Sequence, residues 1–134
     1  MSIIAEYQFL RRDKRFESVL TEYEKNELNT YFEFDECTKI EIEELIKLIR
    51  LGKSANVFER LTDLEIKLGN ESRFLGRLRT HAAYRGMPKE KELAADAMKR
   101  IIVVVNLIRN AGTELGQGKR ENAVKELEKA KSYF

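Results

Sequence analysis

The stretch Leu93-Ala-Ala-Asp-Ala-Met-Lys-Arg-Ile-Ile-Val-Val-Val-Asn-Leu-Ile108 decides the fold. Its five consecutive β-branched residues, Ile101–Val105, have the propensity of a buried strand. Two features argue for helix instead. The run continues Leu93, Ala94, Ala97 and Met98 without a glycine or proline between them, and no second strand is evident elsewhere to pair with it. Apolar all round at its centre, the segment reads as the central helix of an all-α bundle.

Working outward, the rest of the chain shows the i, i+3, i+4 rhythm of amphipathic helices. One or two helices cover residues 3–33, with stripes Ile3, Tyr7, Leu10 and Phe16, Val19, Leu20, Tyr23. A turn is predicted at 34–37, then a helix over 39–51 burying Ile42, Leu45, Ile46 and Ile49. A helix over 55–68 turns Val57, Phe58, Leu61 and Leu64 inward, and one over 73–85 does the same with Phe74, Leu75, Leu78 and Ala82. Helices over 89–111 and 119–132 complete a single domain, 1–134, of about five to seven short helices.

Punctuation supports these boundaries. Gly52, Gly69 and Gly86 fall 17 residues apart, and glycine takes the left-handed C-cap conformation at little cost. Thr38 with Glu41 reads as a capping box, Ser54 and Ser72 as caps, and Pro88 as a first-turn residue. The cadence suggests paired-helix repeats, but the residues that define tetratricopeptide units do not recur at that period. Similar helix lengths explain it as well.

Composition narrows the function classes. One cysteine, Cys37, and one histidine, His81, among 134 residues leave no internal disulfide and no histidine- or thiol-rich metal centre. No cofactor, no metal site and no catalytic residue set is expected. Met1–Glu6 lacks the basic n-region of a signal peptide, and Ile101–Val105 is far short of a membrane span. The chain is therefore expected to be cytoplasmic and to have no membrane partner. Abundant Lys, Arg and Glu beside two glutamines, Gln8 and Gln117, lean toward a thermophile.

Charge carries the functional signal. The net charge is only +2, but residues 17–71 hold 14 acids and 7 bases, while 72–113 hold 9 bases and 3 acids. No acid occurs from Ser72 to Lys89. On a helix, Arg73, Arg77, His81 and Tyr84 share one side, with Arg79 and Arg85 projecting elsewhere. Arginine offers bidentate donors to phosphate, and Tyr or His can stack on a base. Arg11 and Arg12, beside Lys14 and Arg15, form a second cluster that could extend the patch with Lys89.

The expectation is a non-enzymatic binding module. Its helix 72–85 would contact nucleic-acid backbone, DNA or RNA, through Arg73, Arg77, Arg79 and Arg85, helped by Arg11, Arg12 and Lys89, with His81 and Tyr84 as stacking residues. The alternative is an adaptor or assembly subunit, a homo-oligomer or part of a larger complex. There the acidic 17–71 and basic 72–113 surfaces meet between molecules, or the basic face meets an acidic protein surface. The run Tyr31-Phe32-Glu33-Phe34-Asp35 could bind a basic partner, although such aromatics more often pack at a helix end.

Two enzymatic patterns are also present in part. Arg77 followed by His81 resembles the HEPN family, small all-helical proteins, many of them ribonucleases, whose motif is Arg, four to six residues, then His. That resemblance would imply a metal-independent ribonuclease using Arg77 and His81. Only Leu78, Arg79 and Thr80 intervene here, and the likeness covers one helix. Glu92 and Asp96, one turn apart, are a carboxylate pair of the kind metal-dependent helical pyrophosphohydrolases use, but the spacing does not match that family's paired motif. Gly116-Gln117-Gly118-Lys119 lacks the Walker spacing and a preceding strand, so it reads as a turn.

Overall fold

Capping chemistry sets where the first three helices of the computed structural model begin. Ser2 accepts from the Ala5 amide at the start of α1 (Ile3–Arg12), and Asp13 does the same for Phe16 at the one-turn α2 (Lys14–Glu17). Thr21 and Glu24 form a reciprocal capping box that opens α3 (Glu22–Arg50). Then follow α4 (Val57–Tyr84), α5 (Pro88–Gly116, with the proline in the first turn) and α6 (Arg120–Lys131). The structure describes residues 1–53 and 55–134, so the expected Ser54 cap lies outside them. Six helices and no strand occur among the described residues.

Three expected boundaries are overturned. No turn occurs at 34–37: α3 runs unbroken for 29 residues. Thr38 is inside it, and its hydroxyl donates to the Phe34 carbonyl instead of capping. With Thr38 and Glu41 in mid-helix, the capping-box reading there is also wrong. Gly69 does not end a helix either, since α4 passes through it for 28 residues. Ser72 bonds back to the Gly69 carbonyl within that helix rather than starting a new one. One glycine in a helix costs only about 1 kcal/mol. Burial of Leu64, Leu68, Phe74 and Leu75 on either side outweighs it. The glycines that do lie at helix ends are Gly52, Gly86 and Gly118, all with positive φ.

The Leu93–Ile108 stretch is helical throughout. It is not buried all round: Ile101 and Val104 are inside, whereas Ile102 and Val103 face solvent. Val19 is half-buried, and Tyr23 and Phe58, placed inward by their stripes, are exposed.

Pairings across the interfaces define the architecture. Glu24 meets His81, Glu27 meets Arg77, Tyr31 stacks on Phe74, and Glu41 meets Arg60, so α3 and α4 run antiparallel. Glu65 with Arg109 shows the same for α4 and α5, which form the most extensive interface. Both α1 and α6 pack on α3 and α5. Here α6 covers the C-terminal part of α3, through Arg50–Glu128 and Glu43–Lys131. α1 covers the N-terminal parts of α3 and α5, through Arg11–Asn29 and Glu6–Arg100. The Ile3 amide donates to the Tyr133 carbonyl at 2.9 Å, joining the two short helices end to end. The result is a four-column helical bundle. Three columns are single helices about 42 Å long at ~1.5 Å per residue. The fourth is built from the two ends of the chain.

Candidate functional site

The outer side of α4 near its C-terminus carries the basic residues singled out by the sequence. Leu75, Leu78 and Ala82 are buried, which fixes the rotation of the helix and turns Arg73, Arg77 and Tyr84 to solvent. Arg73, Arg77, Arg79, His81, Tyr84 and Arg85 line one shallow groove, floored in part by Gly76 and Thr80. Arg79 and Arg85, expected to project elsewhere, reach into it with their long side chains. A second groove adjoins it across Arg79, Thr80 and Tyr84 and ends at Lys91 on α5. No acid lines either groove.

The acidic half covers one edge of this face. Arg77 donates to Glu27 at 3.2 Å, and its guanidinium stands 5.9 Å from the centroid of the Phe74 ring. The His81 Nδ1 lies 3.0 Å from Glu24, with both side chains mostly covered. Burial alone would push Glu24 up, but the Thr21 amide, His81 and the Thr21 hydroxyl hold its carboxyl below the usual range. Arg77 and His81, the pair resembling the HEPN motif, are thus each turned toward an acid of α3. Among the described residues Arg73 bonds Asn70, its neighbour on α4, and Tyr84 is 87% exposed.

The other basic residues sit elsewhere. Arg12 and Arg15 join Lys89 in a groove between α1 and the start of α5, where Lys89 stacks over Phe9 at 4.3 Å. Asp13 and Glu90 line that groove too. Arg11 points to α3, bonding Asn29 and covering the Phe32 ring at 4.1 Å. Arg12 and Arg15 of the 11–15 cluster therefore meet Lys89, and none of the three lines either α4 groove.

A buried carboxyl cluster lies where α1, α3 and α4 meet. The Tyr7 hydroxyl donates to Glu71 at 2.7 Å, and Asp35 neighbours Glu71 from α3. All three side chains are almost fully excluded from water. Burial, reinforced by the charge of Glu71, pushes Asp35 well above the usual carboxyl range. Burial raises Glu71 to about 7, opposed by hydrogen bonds from Asp35 and Tyr7. As bare carboxylates, both Asp35 oxygens and the second Glu71 oxygen would have no partner. The upward shifts of both acids favour a proton on this pair, and one placed between them would give each acid a partner. Nearby on α1, Glu6 is buried against Arg100 at 2.6 Å; burial raises it to about 7 despite that cation.

The Tyr31–Asp35 run, considered as a surface for a basic partner, is largely taken up by packing: Phe32 and Asp35 are buried and Tyr31 stacks on Phe74 at 5.0 Å, while Glu33 stays exposed. Glu41 and Glu44 both pair with Arg60 of α4. Among the described residues, no group of three His, Cys, Asp or Glu is arranged to hold a metal ion. No described helix is long and apolar enough to cross a membrane.

Sequence reasoning missed two things here. Lys91 lies on a different helix from the basic stretch and reaches it only through the α4–α5 hairpin. Asp35 and Glu71 are far apart in sequence, and the sole hint was that the apolar rhythm of α3 passes through position 35. No family model matches the chain, and no curated protein or solved structure is significantly similar to it.

Proposed function

We propose that this protein is a non-enzymatic module that binds nucleic acid through the phosphate backbone, using the outer face of α4. The observation that carries the reading is the composition of the two adjoining grooves. Arg73, Arg77, Arg79, Arg85 and Lys91 converge there with no acid between them. Guanidinium groups match phosphate geometry bidentately, and neutralising phosphates releases bound counterions. Among the described residues, the acids of α3 reach this face at the Arg77–His81 edge, and the other cations of the grooves form no ion pair.

Affinity should fall steeply with salt. About four phosphate contacts give a log–log slope near −3 to −4. Arg73→Glu with Arg79→Glu tests the reading directly, because neither side chain forms an ion pair among the described residues and the fold should persist. The double variant should lose most of its affinity for both RNA and DNA, measured by fluorescence anisotropy. Affinity equal to the parent's would refute the assignment. Light scattering on the same samples separates the adaptor reading, which requires a salt-sensitive oligomer.

A further inference from the structure

Tyr84 is an aromatic side chain that the fold does not use. It is the last residue of α4, 87% exposed, with no hydrogen bond or ring partner among the described residues. It belongs to both cationic grooves, flanked by Arg79, Arg85 and Lys91, and Arg73 lies about 16 Å away along the helix. Both grooves are open to solvent along their length rather than enclosed.

We infer that the α4 face takes a single-stranded nucleic acid, its backbone running along Arg73, Arg79 and Arg85 and one base stacked on Tyr84. The inference rests on the nucleic-acid reading of the same face and names which form is bound. In a duplex the base faces are covered by stacking, and only edges and phosphates are presented. A flat side chain standing clear of the surface then gains nothing unless base steps are forced apart, which costs the stacking between them. A single strand offers its base faces freely, and an aromatic ring among cations is the arrangement that binds them without sequence preference. Arg79, Arg85 and Lys91 hold the sugar-phosphate chain on either side of the ring, so backbone and base are engaged together.

The test compares a labelled oligothymidine, a labelled oligouridine and a mixed-sequence DNA duplex of equal length, by fluorescence anisotropy at matched salt. The full chain should bind the single strands more tightly than the duplex. Tyr84→Ala should weaken single-strand binding roughly 5- to 100-fold, the equivalent of stacking one base, and leave duplex binding unchanged. Tyr84→Phe should bind as the parent does, because the ring and not the hydroxyl makes the contact. Both substitutions are on the surface and should leave the thermal midpoint unchanged. Equal binding of duplex and single strand, or an undiminished Tyr84→Ala, would overturn this inference and leave the phosphate-binding reading standing. Loss of affinity in Tyr84→Phe would overturn the stacking contact. Absence of salt-dependent binding to all three probes would overturn both.

Discussion

Folding this chain around the Asp35–Glu71 pair should make its stability decline as pH rises through neutrality, the reverse of common acid denaturation. Glu71 goes from an ordinary value of 4.5 to about 7 in the folded protein, and Asp35 is raised as well. The folded state therefore holds protons that the unfolded chain has released. That contribution is fully present below the unfolded value and is lost as pH climbs through the folded one. For Glu71 alone the difference is worth about 3 kcal/mol between pH 4.5 and 7.5, at ~1.4 kcal/mol per pH unit. For a chain of this size it corresponds to about 10 °C in Tm. Asp35→Asn supplies a permanent donor to Glu71 and removes the second charge, so it should flatten the decline and stabilise the protein at pH 8. The assay is denaturant unfolding followed by circular dichroism at several pH values from 5 to 8, for parent and variant. A parent stability that stays level or rises across that window would refute the buried, proton-sharing arrangement. So would an Asp35→Asn variant with the parent's full pH slope.

Two further substitutions probe how the bundle is closed. Arg100→Ala leaves Glu6 buried without its partner and should destabilise by about 1–3 kcal/mol. The loss should be larger at pH 8 than at pH 5, where Glu6 can take up a proton; unfolding curves at the two values measure the difference. Thr21→Ala removes the capping box that opens α3 and should lower stability by about 1 kcal/mol, read from the denaturation midpoint at constant slope.

The helical class of this protein was legible because local signals agree along most of its length. The Leu93–Ile108 stretch is the clearest case. β-branched residues there contradict helix by propensity, yet the unbroken apolar rhythm on both sides prevailed, since burial of one face outweighs a few tenths of a kcal/mol per residue. The rhythm was less reliable where two segments were joined. Gly52 and Gly69 look alike in sequence; only Gly52 adopts a positive φ, and Gly69 stays helical because packed leucines flank it. Thr38 with Glu41 had the pattern of a cap, and Thr21 with Glu24 has the same pattern and is one. A capping motif is a local option, and tertiary burial decides whether the chain takes it.

The same division holds for the candidate site. The sequence by itself determined that Arg73, Arg77, His81 and Tyr84 share one side of a helix, because helical geometry is fixed by the backbone. Tertiary structure decided what that side became. Packing α3 antiparallel to α4 brought Glu24 and Glu27 onto His81 and Arg77, while Arg73, Arg79 and Arg85 form no ion pair among the described residues and Lys91 joins them from across the hairpin. It also put Asp35 against Glu71 and joined the two chain ends into one column of the bundle. Pairings between residues far apart along the chain depend on which faces pack together, and that choice is settled by burial summed over the whole bundle rather than by any one segment.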